Sequence, residues 1–283
     1  MKKIIFLSVL LLIFSLTLMS EPVIKDSVEM KYDTSLQKVV RIYEKIKSMY
    51  KVLENLQPIA IAENNNFYIF DADENLNYKF IKKTPCKFSI PKGIRAAIPI
   101  DGYEDRSVCV VTGDVFDKIE DYVIIFHEFV HCAQFQTVEM KIKENLEIYR
   151  KAMEKQDYMW EINYAFPYNN ENFEKAYAEF LNALDKKDTT GIKDSRNTIK
   201  SILSKDEYEY LTWQEWKEGY ARYIENKLQS FFNLKINEYG KDRPYSRITF
   251  YAGGSKYIEY LAIREQSLSN DLESLYKNIV EIK

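Results

Sequence analysis

The chain has 283 residues, 46% of them hydrophobic, with 40 basic and 43 acidic side chains and a formal charge of −3. That length supports one large domain, or two modest subdomains around a shared core. The near-neutral balance leaves no electrostatic footprint for nucleic acid, and so few glycines and prolines (8 and 7) exclude a collagen-like or linker-dominated chain.

At the N-terminus, Lys2 and Lys3 precede an apolar stretch from Ile4 to Met19, after which Ser20, Glu21 and Pro22 return to polar chemistry. A short basic region followed by an apolar core of this length reads as a secretory signal peptide over residues 1–20. An uncleaved anchor is the alternative, because the run falls only slightly short of a membrane span. No later stretch is long and apolar enough to cross a bilayer. Residues 21–283 are therefore expected as a single secreted or cell-envelope domain, meeting a membrane only through the N-terminal segment if that is retained. Cys86 and Cys109 could pair across neighbouring strands and leave Cys132 single; three buried thiols without a role are the equal alternative.

An apolar stripe from Val28 to Leu53 has helical spacing. The period then changes: Ile59–Ala62, Asn66–Phe70 and Tyr78–Ile81 read as short strands, with Asn64-Asn65-Asn66 and Asp71–Asn75 as turns. Ala96–Ile100 and Ser107–Thr112 form another strand pair around Asp101-Gly102-Tyr103. Asp117 and Glu120 have capping-box spacing, which starts a helix running to about Gln136. Beyond it, residues 138–160, 172–186, 192–203, 213–232, 255–265 and 270–281 read as helical, the fourth opened by a Thr212–Glu215 capping box. The fold class is thus α+β, a small sheet within about residues 21–137 followed by a mainly helical part over about 138–283.

His127-Glu128-Phe129-Val130-His131 is an HExxH sequence. Residues four apart on a helix differ by roughly 40° around its axis, so both imidazoles leave one face and can grip a single zinc ion. Glu128 lies on the flank of that face, where a general base for the attacking water belongs. The chain has only two histidines and both are in the motif, a coincidence that chance placement seldom produces. A lone Glu among the apolar neighbours Val123 to Ala133 would also be costly without a task or a partner. One zinc per chain is expected. A catalytic zinc needs a third protein ligand and an open position. With no histidine left, that ligand is Glu, Asp or, less favourably, Cys. The stretch Trp213 to Tyr223 is the place to look, and it contains or borders Glu215, Glu218 and Glu225. The small residues Gly219 and Ala221 would let this helix approach the HExxH helix closely.

HEFVH, followed much later by WKEGYARYIE and FYAGGSKYIEYL, resembles the gluzincin, or peptidase-MA-like, metallopeptidases over roughly residues 115–265. The resemblance implies a zincin-like catalytic core with a helical lobe closing the cleft, and it makes Glu218 the third zinc ligand. It also implies an edge strand that holds an extended peptide by strand addition, for which Ser107–Thr112 is the candidate. Two features depart from the family pattern. Arg222 stands where an Asp often orients a ligand histidine, so that support must come from elsewhere. The oxyanion-stabilising residue cannot be a histidine, which leaves Tyr223, Tyr251, Tyr257 or an Arg. The expectation is an exported zinc metallopeptidase acting on a peptide or protein substrate. The alternatives are a non-catalytic exported binding or scaffold protein of the same fold, and a zinc hydrolase of non-peptide substrates.

Overall fold

The computed structural model describes residues 27–87 and 90–282. The segment over residues 1–20 read as an export signal lies outside the described residues. Helix α1 (Ser27–Ile46) and a 3₁₀ turn at Lys51–Leu53 lead into five strands: β1 (Ile59–Glu63), β2 (Asn66–Ala72), β3 (Tyr78–Pro85), β4 (Arg95–Ile100) and β5 (Tyr103–Thr112). They form one mixed sheet in the order β3-β2-β1-β5-β4, antiparallel except for the β1–β5 pair. The β1–β2 hairpin turns on Asn64 and Asn65, at φ 50° and 56°. Two consecutive left-handed residues match the right-handed twist of the strands they join, and asparagine tolerates that conformation.

Period-two alternation sends the two faces of the sheet into different cores. Ile59, Ile61, Cys109 and Val111 point into the main core beneath the helices. Ala60, Phe67, Ile69, Val108 and Val110 form a smaller cluster on the far face. The expectation for Ser107–Thr112 as the edge strand is corrected here. β5 is interior, paired with β1 on one side (Ile59 to Cys109) and β4 on the other (Ala97 to Cys109), and the open edge on this side is β4. Pro99 sits in β4, an edge position that tolerates a residue without an N–H. No disulfide joins the three cysteines. Cys86 follows β3 while Cys109 lies on β5, with β2 and β1 between those strands.

After a 3₁₀ turn at Gly113–Phe116, α2 (Ile119–Gln134) runs under β4 and β5. The Asp117–Glu120 capping box does not form: Asp117 closes the 3₁₀ turn, and Lys118 is the N-cap without a side-chain bond. The helix continues past Gln134 through a π segment at Phe135–Glu139 into α3 (Met140–Lys143). The helix expected over 138–160 is broken into α3, α4 (Glu147–Glu154) and α5 (Trp160–Asn163). Asn145 donates back to the Lys141 carbonyl at 2.7 Å, and Gln156 adopts a left-handed φ of 57°. Glu209, distant in sequence, accepts the Ile148 N–H at the start of α4.

The remaining helices are α6 (Glu171–Lys186), α7 (Thr189–Ile202), α8 (Lys205–Phe231), α9 (Arg247–Arg264) and α10 (Leu272–Glu281). α8 starts earlier than the Thr212–Glu215 signature implies. Its capping box is Ser204–Glu207, while Thr212 lies inside the helix and donates to the Tyr208 carbonyl. α9 likewise begins before Gly253 and Gly254, since both glycines are contact points inside the helix. A Cβ on Gly254 would lie 2.6 Å from the Glu215 carbonyl oxygen, and one on Gly219 would lie 2.7 Å from the Gly254 Cα. Gly219 therefore serves the crossing of α8 with α9, not an approach to the HExxH helix as its sequence position suggested. That crossing lays α9 over the middle of α8, where Glu218 is. Among the described residues, no helix is long and apolar enough to cross a membrane.

Candidate metal centre

α2 carries His127, Glu128 and His131, all nearly buried, and α8 packs against it to bring up Glu218 and Glu225. The two imidazoles converge, with Nε2 atoms 3.2 Å apart. Their other ring nitrogens are both held. His127 Nδ1 is 2.8 Å from Glu225 Oε2, and His131 Nδ1 is 2.8 Å from Gln134 Oε1. An ionised carboxylate only accepts, so His127 Nδ1 carries the hydrogen. The Gln134 amide is oriented by its nitrogen, which donates to the Trp216 and Lys217 carbonyls at 3.4 and 3.2 Å. Its oxygen therefore accepts from His131 Nδ1. In their neutral forms both rings then aim a bare Nε2 lone pair at the same point.

Glu218 Oε2 reaches that point too, 3.3 Å from His131 Nε2 and 3.9 Å from His127 Nε2. The ligand atoms of His127, His131 and Glu218 all lie within 4.8 Å of one another, close enough to hold one metal ion. Such a donor set requires positive charge at its centre. Burial alone would lower the His127 pKa, but the Glu218 and Glu225 carboxylates, with Glu128 nearby, outweigh it and raise it from 6.5 to about 10. Burial would raise the Glu218 carboxyl, yet the two imidazoles hold it well below its ordinary range. The same carboxylates that favour a proton on His127 would favour a divalent cation held by this group, which would displace that proton.

Glu128 flanks this group without joining it. Burial pushes its carboxyl up, His127 and His131 pull it back, and Glu218 and Glu225 push it up again. A raised carboxyl beside a candidate metal site is the electrostatic setting of a proton acceptor.

From α9, Arg247 and Tyr251 stand one turn apart and face Glu218. Arg247 Nη1 is 3.4 Å from Glu218 Oε1, and its guanidinium lies 5.2 Å from the Tyr251 ring. Arg222 lies 5.6 Å from that ring. Burial and the charge of Glu218 raise the Tyr251 hydroxyl, with Arg247 opposing. Of the three tyrosines considered from sequence, only Tyr251 is linked to this group. Tyr223 packs against Tyr50 and Tyr220, and Tyr257 against Phe180 and Arg196.

A second charged layer lies behind Glu218. Lys143 and Lys217 each bridge Glu139 and Glu161, at 2.6 and 2.7 Å for Lys143 and 3.0 and 3.1 Å for Lys217. Glu139 reaches this layer from the π segment, a distortion often found beside functional sites. Burial would raise the Glu161 carboxyl, but Lys217 and Lys143 bring it from 4.5 down to about 2. A depressed folded-state pKa contributes stability that is present above the unfolded value and lost as the pH falls through the folded one. The free energy of unfolding measured in urea should therefore fall between about pH 4.5 and pH 2, by on the order of 3 kcal/mol from this group. Glu161→Gln should flatten that part of the profile; an unchanged slope would sink the assignment.

From the sequence, Glu225 stands only as a glutamate bordering the third-ligand stretch, and Gln134 and Arg247 are not singled out. Glu225 lies two helical turns beyond Glu218, so spacing alone placed it on the same face. It takes the histidine-orienting role that Arg222, in the expected Asp position, cannot perform. Gln134 follows His131 by three residues, another same-face spacing. Comparison of the chain with protein-family models, curated proteins and solved structures gives no match.

Proposed function

We propose that this chain is an exported, zinc-dependent metallopeptidase with a zincin-like core, holding zinc through His127, His131 and Glu218. The observation that carries the reading is the convergence of two imidazole Nε2 atoms and one carboxylate oxygen, with both Nδ1 atoms already engaged. Zinc held at about 2.0–2.1 Å by three ligands of a tetrahedron has ligand atoms about 3.3 Å apart; the separations here are 3.2, 3.3 and 3.9 Å. The donor set, two imidazoles and a carboxylate, is one that catalytic zinc uses. A sheet with an open edge above the HExxH helix, followed by a helical part supplying the third ligand, agrees with the gluzincin resemblance.

When bound, zinc would polarise the scissile carbonyl and make water nucleophilic near neutral pH. Glu128 accepts the proton of the attacking water on its carboxylate and delivers it to the departing amine. Tyr251 and Arg247, which face the ligand carboxylate from α9, supply hydrogen bonds to the developing oxyanion. The open edge of β4, beside α2, offers backbone groups to an extended peptide. The basic and apolar pattern of residues 1–20 supports export.

The test is cleavage of a diverse peptide library by residues 21–283, as zinc-loaded and chelator-treated protein. Cleavage is expected only in the zinc form and should return when zinc is restored. One bound zinc per chain with no cleavage across the library would overturn the peptidase reading in favour of a binding protein or a hydrolase of other substrates.

A further inference from the structure

The histidine-orienting carboxylate is gripped by a loop. Glu225 is almost fully buried and receives four donors. His127 Nδ1 and Arg222 Nε meet Oε2 at 2.8 and 3.1 Å; Asn237 Nδ2 and Gln229 Nε2 meet Oε1 at 2.9 and 3.3 Å. Three of these come from α2 or α8. Asn237 comes from the irregular segment between α8 and α9.

Every polar group of Asn237 is engaged in this arrangement. Its N–H donates to Asn226 Oδ1 at 2.7 Å, and its side-chain oxygen accepts the Tyr239 N–H at 3.1 Å. Its carbonyl accepts from Asn226 Nδ2 and Arg222 Nη1, both at 3.3 Å. A second bond from Arg222 Nη1 reaches the Tyr239 carbonyl at 3.4 Å. Arg222 thus fastens the loop and the carboxylate together: its Nε holds Glu225, while its Nη1 holds the backbone on either side of Glu238. A loop residue is not required to satisfy a buried carboxylate that already has an arginine and a histidine. Its presence fixes which Glu225 oxygen faces His127 and in what direction.

We propose that Asn237 and Arg222 are positioning residues for the metal centre, acting through Glu225 to set the orientation of His127. The loop between α8 and α9 is thereby coupled to metal affinity. This inference rests on the metal-site reading above. Outer partners of a ligand histidine typically change metal affinity by about 10–100-fold when removed. Asn237 and Arg222 stand one step further out, and the lower end of that range is expected of them.

Zinc affinity measured by competition with a chromophoric chelator, together with the visible spectrum of the cobalt-substituted protein, tests the coupling. Asn237→Ala should weaken zinc binding by about 10-fold and shift the cobalt bands. Asn237→Asp keeps the acceptor for Tyr239 but turns a donor into a charge facing Glu225, and it should weaken binding further. Lys235→Ala, an exposed change in the same loop, should do neither. Should Asn237→Ala not fold, Arg222→Lys is read in the same way, because it keeps the charge but loses the fork that joins Glu225 to the loop. Unchanged affinity and spectrum in the Asn237 or Arg222 variants, with tight binding by the unaltered chain, would overturn the coupling alone. Failure of the unaltered chain to bind zinc or cobalt would overturn both this inference and the metal-site reading.

Discussion

Glu128→Gln is expected to retain one zinc per chain and to lose about 10²–10⁴-fold in turnover, the usual contribution of a positioned proton acceptor. The substitution keeps size and burial while removing the ability to take a proton. His127, His131 and Glu218 keep their positions, because Glu128 makes none of the bonds that hold them. His131→Ala is the contrasting variant. It deletes one of the three proposed ligands, so metal and turnover should disappear together. Metal analysis beside a rate on one peptide substrate separates the two cases. Full activity in Glu128→Gln would remove it from the role of base. Loss of zinc in the same variant would place it among the ligands, against the geometry in which its neighbours converge elsewhere.

The parts of this centre that were legible in the sequence share one property: they depend on spacing within a single helix. HExxH was readable because four residues of helix fix where two side chains go, whatever surrounds them. Glu225 and Gln134 were readable in principle for the same reason, at seven residues from Glu218 and three from His131, but nothing ranked them above other polar residues nearby. Asn237 was not legible. It acts from an irregular segment, where no period relates position to direction.

The sheet divides along the same line. Five strands and the Asn64-Asn65 turn follow from local alternation and turn chemistry. The parallel β1–β5 pairing joins residues some fifty positions apart, Ile59 with Cys109, and that pairing turned the expected edge strand into an interior one. The helix starts failed for a related reason. The Thr212–Glu215 signature is genuine as a pattern, but Glu215 is engaged by Arg196 and the helix had already begun at the better-placed Ser204. Gly219 was correctly singled out as a contact residue, and its partner was wrong, because a glycine announces a close approach without naming what approaches.

Arg196→Met is expected to be the most destabilising single change outside the metal centre, at about 3–5 kcal/mol. Arg196 and Glu215 are both fully buried, 2.7 Å apart at the closest. The guanidinium also donates to the Ile279 carbonyl and lies among the rings of Phe180, Tyr208 and Tyr257. Removing it leaves Glu215 with only the Tyr177 hydroxyl, 3.0 Å away. Burial raises this carboxyl against the pull of Arg196, whereas at the guanidinium the charge of Glu215 outweighs burial; a buried pair of this kind loses much of its attraction to desolvation. Replacing both members, as Arg196→Met with Glu215→Leu, should therefore cost far less than the sum of the two single changes. Urea unfolding of the two singles and the double measures that difference directly. A single-variant loss below about 1 kcal/mol would mean that water reaches Glu215, contrary to its burial. The consequence extends to the metal centre, since Glu215 precedes Glu218 by less than one turn of α8 and its carbonyl meets Gly254 of α9. A carboxylate forced to find water there would spread the α8–α9 crossing, and with it the placement of Glu218, Arg247 and Tyr251. The Arg196→Met variant should accordingly bind zinc more weakly, while the double variant, with its core uncharged, should recover much of that affinity.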